Sequence, residues 1–299
     1  MQNVIIANKY ILQKEIGHGK FGTVYKGEHM KNQTQVAIKM ENTNTLYNTI
    51  RYESTILNYL YSNGCRVCSP VLWYGVYKQY TCIVMDYYDQ SIAQYLSVVK
   101  TKHVDSPNIF YKQILKLISS MVTILGHVHK HQIVHRDIKP DNFMLKNGKL
   151  YLIDFGISSS IIPKINAEPN KETIIGTPKY ISYFVHDGYE PMYRDDIISI
   201  GYCFIYFYMG ILPWSNVTIH ESEITNYPEI HILHEKNQVR KKWKQLSNIE
   251  KLISRISTTN MENVIIFQNM LEYFKMAYSL DINEMPVYSD LCDVLLHNL

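Results

Sequence analysis

The chain has 299 residues, of which 46% are hydrophobic and 19% charged, a balance that supports a large buried core and excludes intrinsic disorder as its main character. Thirty Lys and Arg against 27 Asp and Glu leave a formal charge of +3, too small to predict bulk attraction to nucleic acid. Five cysteines do not form the disulfide framework of a small secreted domain, and the first residues lack a basic leader with a long apolar segment. We therefore expect a reducing intracellular environment.

Short β-strands are predicted through the first ninety residues, because β-branched and aromatic residues recur there in short runs bounded by Gly, Asn or Gln. They are Tyr10–Ile16, Thr23–Glu28, Gln35–Met40, Val71–Tyr77 and Thr81–Met85. One helix, Thr45–Tyr61, interrupts them. Its face-sharing positions are Leu46, Ile50, Glu53, Leu57 and Leu60. Glu53 is thus a carboxylate in the middle of an apolar stripe.

Helices are predicted beyond residue 90. An amphipathic stripe runs through Ile114–Val128, and similar periodicity recurs in Ile197–Tyr208, Met261–Tyr278 and Val287–Leu296. The apolar run Ile197–Trp214 contains two glycines and Pro213 and follows two aspartates, so we predict a buried core helix rather than a membrane span. The whole pattern predicts an α+β fold, with a small β-rich lobe at 1–86, a hinge at 86–90 and a larger helical lobe at 91–299.

A glycine-rich turn, Gly17-His-Gly19-Lys-Phe-Gly22, lies between the first two predicted strands. The dinucleotide-binding fingerprint needs a following helix and the P-loop needs Gly-Lys-Ser/Thr, so neither fits this context. Two interpretations remain open: a flexible flap whose backbone amides close over phosphates, and an ordinary glycine hairpin.

Lys39 lies on a predicted strand in Val36-Ala37-Ile38-Lys39, where alternation places Ala37 and Lys39 on one face. A covered ammonium needs a carboxylate, and Glu53 in its apolar stripe needs a cation. We therefore predict an ion pair between Lys39 and Glu53 that directs Lys39 toward ligand phosphates. The alternative is a solvated lysine and a glutamate that extends to solvent.

The stretch His135-Arg-Asp137-Ile-Lys139-Pro-Asp-Asn142, followed by Asp154-Phe-Gly, carries the clearest chemistry. Each residue matches one need of phosphoryl transfer. Asp137 can orient a substrate hydroxyl and accept its proton, and Lys139 can neutralise charge on the moving phosphoryl group. Asn142 and Asp154 offer the hard oxygen ligands that Mg²⁺ prefers.

These motifs, from Gly17 to near the C-terminus, resemble those of eukaryotic-type serine/threonine protein kinases. Gly176-Thr177 resembles the segment in which such kinases carry a threonine that hydrogen-bonds to the catalytic Asp and Lys. The usual Ala-Pro-Glu is missing, and the segment Gly176–Gly188, with Arg194–Tyr202 and Leu212–Trp214, resembles the casein kinase I family and its vaccinia-related relatives. The missing glutamate leaves open what anchors this segment.

The resemblance implies a single bilobal protein kinase domain over 1–299 that uses ATP and Mg²⁺. Catalytic residues would be Asp137, Lys139, Lys39, Glu53 and Thr177, and metal ligands would be Asn142 and Asp154. Met85 would be the gatekeeper, the adenine amine would meet backbone at Asp86 and Tyr88, and Asp196 would hold the catalytic-loop backbone. The nucleotide-binding set would be Ile16, Gly17, Gly19, Gly22, Val24, Ala37, Lys39, Met85, Asp86, Tyr88 and Met144.

The implied substrates are proteins with Ser or Thr acceptors, including acidic or already phosphorylated ones that Lys179, with Lys171 and Arg194 nearby in sequence, would contact. Arg136 would pair with a phosphorylated Thr173 or Ser158–Ser160, although the resemblance suggests that this phosphorylation is not obligatory. We expect a monomer in the cytoplasm, with access to the nucleus, and no membrane insertion or nucleic-acid partner. Abundant Tyr, Ile, Asn and Lys suit an A·T-rich genome, such as that of a large DNA virus or a protist. Two alternatives are a pseudokinase scaffold that binds nucleotide without turnover and a kinase for small alcohols.

Three further patterns receive structural interpretations. The histidines 127, 129, 131 and 135 are not spaced as a zinc site, and His135 would pack in the catalytic loop. Cys65 and Cys68 are predicted to be thiols, with a redox-sensitive pair as the alternative. The basic run 240–244 is predicted to be a solvated helix face rather than a docking site for an acidic partner or nucleic acid.

Overall fold

The computed structural model describes residues 4–19, 22–44, 48–102, 107–161, 174–217, 229–259 and 263–299. The chain divides into two compact units. Unit 1 comprises Met1–Ser91 and Asn142–Ser158, and unit 2 comprises Ile92–Asp141 and Ser159–Leu299.

The strands in chain order are β1 Ile5–Ile6, β2 Tyr10–Gly19, β3 Gly22–His29, β4 Gln35–Asn42, β5 Val71–Tyr77, β6 Tyr80–Asp86, β7 Gln90–Ser91, β8 Ile133–Val134, β9 Phe143–Lys146, β10 Lys149–Leu152 and β11 Ser159–Ser160. The α-helices are α1 Thr49–Ser62, α2 Ile92–Lys102, α3 Pro107–His129, α4 Tyr193–Met209, α5 Glu229–Trp243, α6 Leu246–Thr259, α7 Val264–Ser279 and α8 Tyr288–Leu296. The β-rich beginning and the helical remainder confirm the predicted α+β fold.

Unit 1 is built on an antiparallel sheet in the order β1-β2-β3-β4-β6-β5. Alternation along β4 buries Val36, Ile38 and Met40 in a core with residues of β1, β2 and β6, and it places Ala37 and Lys39 on the opposite face. Helix α1 begins four residues later than predicted, after Asn48, whose side chain accepts the Arg51 N–H at 2.9 Å and so caps the first turn. Leu46 lies outside the described residues.

Residues 142–158 group with unit 1 although they follow about fifty residues of unit 2. Strand β9 pairs with both β7 and β10, and the Leu152 N–H donates to the Val67 carbonyl at 2.8 Å. These bonds bring Asp154, which follows β10, into the same unit as Lys39. The lobes expected from the sequence are continuous along the chain, at 1–86 and 91–299. Residues 142–158 are not expected in the first lobe, because their place there depends on pairing between distant segments.

Unit 2 is helical, and α4 packs against α3 and α7. Thirteen of the 17 residues of α4 are buried, which confirms the predicted core helix. Among the described residues, one helix is long and apolar enough to cross a membrane, at Asn108–His129 in α3 with a mean hydropathy of 1.3. That helix packs against α4 and α8, as a buried core helix does.

Candidate active site

Lys39 contacts two carboxylates in unit 1. Its Nζ lies 2.8 Å from Glu53 Oε2 and 2.8 Å from Asp154 Oδ1. The other Glu53 oxygen, Oε1, accepts the Phe155 N–H at 3.2 Å, so Glu53 holds both the lysine and the backbone beside Asp154. The predicted pair of Lys39 and Glu53 is present, and the structure adds Asp154 to it.

The charge state of Lys39 follows from this environment. Burial alone lowers the pKa of an ammonium, but the carboxylates of Glu53 and Asp154 outweigh it and hold the pKa of Lys39 above its ordinary value. Lys39 is therefore a fixed positive charge, aimed by a nearly inaccessible glutamate. Such a group suits the recognition of phosphate oxygens.

Asn142 and Asp154 lie close enough in the backbone to share a metal ion, which is the first requirement for a common site. The Asn142 carbonyl accepts the N–H of Ile153, the residue before Asp154, at 2.9 Å, so the two predicted ligands lie on adjacent backbone. Asp154 adopts a left-handed conformation with φ of +67°, which is uncommon for a residue with a side chain and typical of functional turns. One carboxylate and one amide match the oxygen ligands by which Mg²⁺ is held alongside phosphates and water.

The glycine turn joins β2 to β3, and its three glycines have different environments. Gly22 has φ of +113°, and a Cβ there would lie 2.2 Å from the Met40 carbonyl oxygen, so this position requires glycine. A Cβ at Gly19 would meet no described atom within 4 Å, and one at Gly17 would meet only the Val24 Cβ at 3.9 Å. The turn therefore leaves open space beside the Cα atoms of Gly17 and Gly19. Lys20 and Phe21 lie outside the described residues.

Three residues predicted to surround the nucleotide, Val24, Ala37 and Met85, share the sheet face of Lys39. Val24 is the direct cross-strand partner of Lys39, and Met85 is that of Ala37, so these side chains project to one side. Ile16 is 43% exposed at the end of β2 nearest the glycine turn.

The remaining residues predicted for the adenine site lie on β6, the predicted hinge and β9. The Asp86 N–H donates to Ser69 Oγ at 2.9 Å, Tyr88 is buried with its ring 5.1 Å from that of Tyr151, and Met144 pairs with Ser91.

In unit 2, Asp137 is the centre of a network with Lys139 and Thr177. Asp137 Oδ2 accepts from Lys139 Nζ at 2.6 Å, and Oδ1 accepts from the Thr177 hydroxyl at 2.6 Å and the Thr177 N–H at 3.1 Å. Lys139 Nζ also lies 3.2 Å from Thr177 Oγ1. The predicted catalytic residues Asp137, Lys139 and Thr177 are thus brought together and held in one orientation.

Asp196 of α4 holds the backbone of this catalytic loop. Its Oδ2 accepts the His135 N–H at 2.8 Å and contacts His129 Nε2 at 2.9 Å, while its Oδ1 accepts the Arg136 N–H at 3.0 Å. Arg136 has φ of +69°, and these bonds fix that uncommon conformation. The loop is therefore preorganised by a buried carboxylate, as the resemblance implied.

A family model described as the protein kinase domain matches residues 10–274. The chain belongs to the protein kinase family. The match spans both units and includes every residue named above as catalytic, nucleotide-binding or metal-ligating. Protein kinases transfer phosphate to proteins, and they use ATP and Mg²⁺.

The guanidinium of Arg136, predicted to pair with a phosphorylated residue, contacts a carboxylate in this kinase. Its Nη1 lies 3.2 Å from Glu190 Oε1, so a carboxylate of the chain itself meets the guanidinium. Ser158 is buried and donates to the Phe155 carbonyl, and Thr173 lies outside the described residues. No sequence pattern singles out Glu190.

Lys179 and Arg194, two residues of the predicted anion-binding region, have different environments. Lys179 is exposed, whereas the Arg194 guanidinium stacks 3.6 Å from the centre of the Phe184 ring and donates to the Leu280 carbonyl. Lys171 lies outside the described residues.

The basic run 240–244 is only partly the predicted solvated face. Lys242 is exposed, but Lys244 is fully buried, which corrects the prediction for that residue. The sequence signal that could have found it is the missing glutamate, which leaves the segment after Thr177 in need of another anchor. Cys65 and Cys68 are buried thiols, as predicted.

Proposed function

We propose that the chain is an active serine/threonine protein kinase of the casein kinase I type. It would transfer the γ-phosphate of ATP, with Mg²⁺, to Ser or Thr hydroxyls of proteins. The observation that carries the proposal is the network of Asp137, Lys139 and Thr177. In it Asp137 is the base, Lys139 the cation, and Thr177 the hydroxyl that positions both.

Residues of unit 1 would bind the nucleotide. Lys39, fixed by Glu53, would contact its phosphates, and Asn142 and Asp154 would hold Mg²⁺, which neutralises phosphate charge when bound. The open backbone at Gly17 and Gly19 would cover the phosphates. In the structure Lys39 Nζ contacts Asp154. With a nucleotide bound, Lys39 would lie between the carboxylates of Glu53 and Asp154 and the phosphates.

Residues of unit 2 would act on the acceptor. Asp137 would accept a hydrogen bond from the substrate hydroxyl and orient it, and then take its proton as the phosphoryl group is transferred. Lys139, already 2.6 Å from Asp137, would neutralise charge on that group. Because the chemistry consists mainly of positioning and charge neutralisation, turnover requires the residues of both units.

Three features support protein acceptors with Ser or Thr. Lys139 follows Asp137 by two positions, Thr177 bonds to both residues, and the segment after Thr177 resembles that of casein kinase I. Exposed Lys179 on this segment supports acidic or phosphorylated substrates. We propose an intracellular, monomeric enzyme.

The test is transfer of labelled phosphate from ATP to casein by the purified chain, with and without EDTA, followed by phosphoamino-acid analysis. We expect phosphoserine and phosphothreonine, loss of transfer in EDTA, and loss in Asp137→Asn but not in Asp281→Asn, a change of an exposed aspartate. Nucleotide binding without transfer would instead identify a pseudokinase, and transfer only to small alcohols would identify a small-molecule kinase. Phosphotyrosine as the sole product would refute the serine/threonine assignment.

A further inference from the structure

Lys244 is a fully buried lysine that directly follows α5. Its Nζ lies 2.9 Å from the Pro178 carbonyl oxygen, 2.7 Å from the Ile181 carbonyl oxygen and 3.1 Å from His186 Nε2. None of its contacts with described residues involves a carboxylate. A buried amino group is costly unless its polar atoms are satisfied, so the two carbonyls and the imidazole nitrogen account for its presence there.

Two aromatic rings complete the site around Lys244. Nζ lies 5.1 Å from the centre of the Tyr202 ring and 5.6 Å from that of Trp214. The Trp214 Nε1–H donates to the Lys179 carbonyl at 2.7 Å, so the same site holds a third carbonyl of the segment. The Lys244 carbonyl in turn accepts from the Tyr278 hydroxyl at 2.6 Å, which fixes the lysine backbone from α7.

The three carbonyls belong to the irregular segment that carries Thr177. The N–H groups of Tyr180 and Ile181 both donate to the Thr177 carbonyl, at 2.8 and 3.1 Å, which makes a tight turn directly after Thr177. Buried carbonyls outside regular secondary structure need donors from elsewhere. Lys244 supplies them on one side of this turn, and Asp137 holds the Thr177 hydroxyl and N–H on the other.

Gly176 makes the position of this turn critical. It has φ of +103°, and a Cβ there would lie 2.5 Å from the Arg136 carbonyl oxygen and 2.8 Å from Ile181 Cγ2. The segment thus packs tightly against the catalytic loop at Gly176, so a shift of the turn would be transmitted to Thr177. Burial lowers the pKa of Lys244 well below its ordinary value, and the nearby Arg240 lowers it further. A neutral amine still has two N–H donors for the two carbonyls, so the anchor does not depend on the charge.

We propose that Lys244 is a positioning residue for the protein acceptor, which anchors the turn Thr177–Ile181 and through it the contact of Thr177 with Asp137. The inference rests on the proposed protein kinase function. The glutamate of Ala-Pro-Glu, which is missing here, would otherwise anchor this segment. Lys244 takes over that role by binding main-chain carbonyls of the segment.

The test compares Lys244→Met with Lys242→Met, a matched change of an exposed lysine two residues away. For each variant, kcat and KM for casein, KM for ATP and the melting temperature are measured. For Lys244→Met we expect kcat/KM for casein to fall by roughly tenfold to a hundredfold, because small misplacement of reacting groups has effects of that size. KM for ATP should change less than twofold, and Lys242→Met should match the wild type.

Hydrogen exchange gives a second measurement that does not need activity. The amides of Tyr180 and Ile181 should exchange at least roughly tenfold faster in Lys244→Met, while amides of α4 keep their wild-type rates. If Lys244→Met does not fold, Tyr278→Phe removes the bond to the Lys244 carbonyl and should lower casein kcat/KM by roughly twofold to fivefold with ATP binding unchanged.

Two outcomes overturn the proposal: wild-type casein kinetics in a folded Lys244→Met protein, or parallel losses of casein turnover and ATP binding. A wild-type chain that phosphorylates no protein would refute the proposed function instead. Exchange at Tyr180 and Ile181 would then still decide whether Lys244 anchors the turn.

Discussion

Lys39 in unit 1 and Lys244 in unit 2 are both buried, yet their partners are of opposite kinds. Lys39 contacts two carboxylates, and its pKa is raised; Lys244 contacts two carbonyls, an imidazole and two rings, and its pKa is lowered. Carboxylates keep a lysine charged, which a phosphate-binding residue requires. Carbonyls use a lysine as a donor that holds the main chain, which is a structural task.

Burial alone therefore does not identify a catalytic lysine. The sign of the pKa shift separates the two roles: the carboxylates of Glu53 and Asp154 raise the pKa of Lys39, whereas burial and the nearby Arg240 lower that of Lys244.

Lys39→Met should have the largest effect. Removing a preorganised cation that stabilises transferring phosphate lowers kcat by roughly 10²–10³-fold. The measurement is steady-state transfer to casein with Mg·ATP, beside Lys244→Met. Lys39→Met should keep the wild-type KM for casein, whereas Lys244→Met should raise it or lower kcat with ATP affinity intact. Identical kinetic defects in the two variants would show that Lys39 and Lys244 do not have separate roles.

Gly22 and Gly19 in unit 1 should differ in the same way. Gly22 is required by the backbone conformation, whereas Gly19 borders open space, so substitution should affect the free energy of unfolding only at Gly22. Gly22→Ala forces a side chain into a left-handed conformation against the Met40 carbonyl and should lower the free energy of unfolding by about 1–3 kcal/mol. Gly19→Ala meets open space and should change it by less than about 0.5 kcal/mol. Urea denaturation measures both values, and equal losses would contradict the prediction.

The Lys244 site should also make the fold sensitive to acid through His186. Burial, together with the neighbouring basic groups of Lys244, Arg240 and Lys241, lowers the pKa of His186 to about 2. Below the ordinary value of 6.5 the unfolded chain binds a proton that the folded chain excludes, so stability is lost as the pH falls. Between pH 6.5 and 5 this loss is about 2 kcal/mol.

The measurement for His186 is urea denaturation of the wild type and His186→Gln at pH 7.5 and pH 5. The stability difference between the two proteins isolates His186, because buried Asp195, whose pKa is raised to about 6, is common to both. The wild-type protein should lose about 2 kcal/mol more than the variant. A constant difference would show that His186 titrates normally.

Glu190→Gln should have the smallest effect. The Glu190 side chain is 38% exposed, so its pair with Arg136 is screened by solvent and contributes less than about 1 kcal/mol to stability. Activity toward casein should fall by less than about threefold, since the Arg136 backbone is held by Asp196. A loss as large as that of Lys39→Met would show that charge at Arg136, rather than backbone position, controls the loop.

Much of the fold and most of the site residues could be predicted from the chain alone. The alternation of β4 placed Ala37 and Lys39 on one face, and the spacing in α1 placed Glu53 in its apolar stripe, because these depend only on the periods of strand and helix. The requirement that buried charges be paired then predicted the contact of Lys39 with Glu53. The order of the kinase motifs, read as a resemblance, indicated the family that the match over residues 10–274 shows.

Tertiary structure alone decided which lysine of the run 240–244 is buried, which carboxylate meets Arg136, which glycine the turn requires, and that residues 142–158 belong with unit 1. Lys242 and Lys244 are the same residue type two positions apart, and their local sequence does not separate them. What separates them is the set of acceptors that distant segments bring to one side of α5. Such contacts depend on the path of the whole chain, whereas periodicity and motif spacing depend only on neighbouring residues.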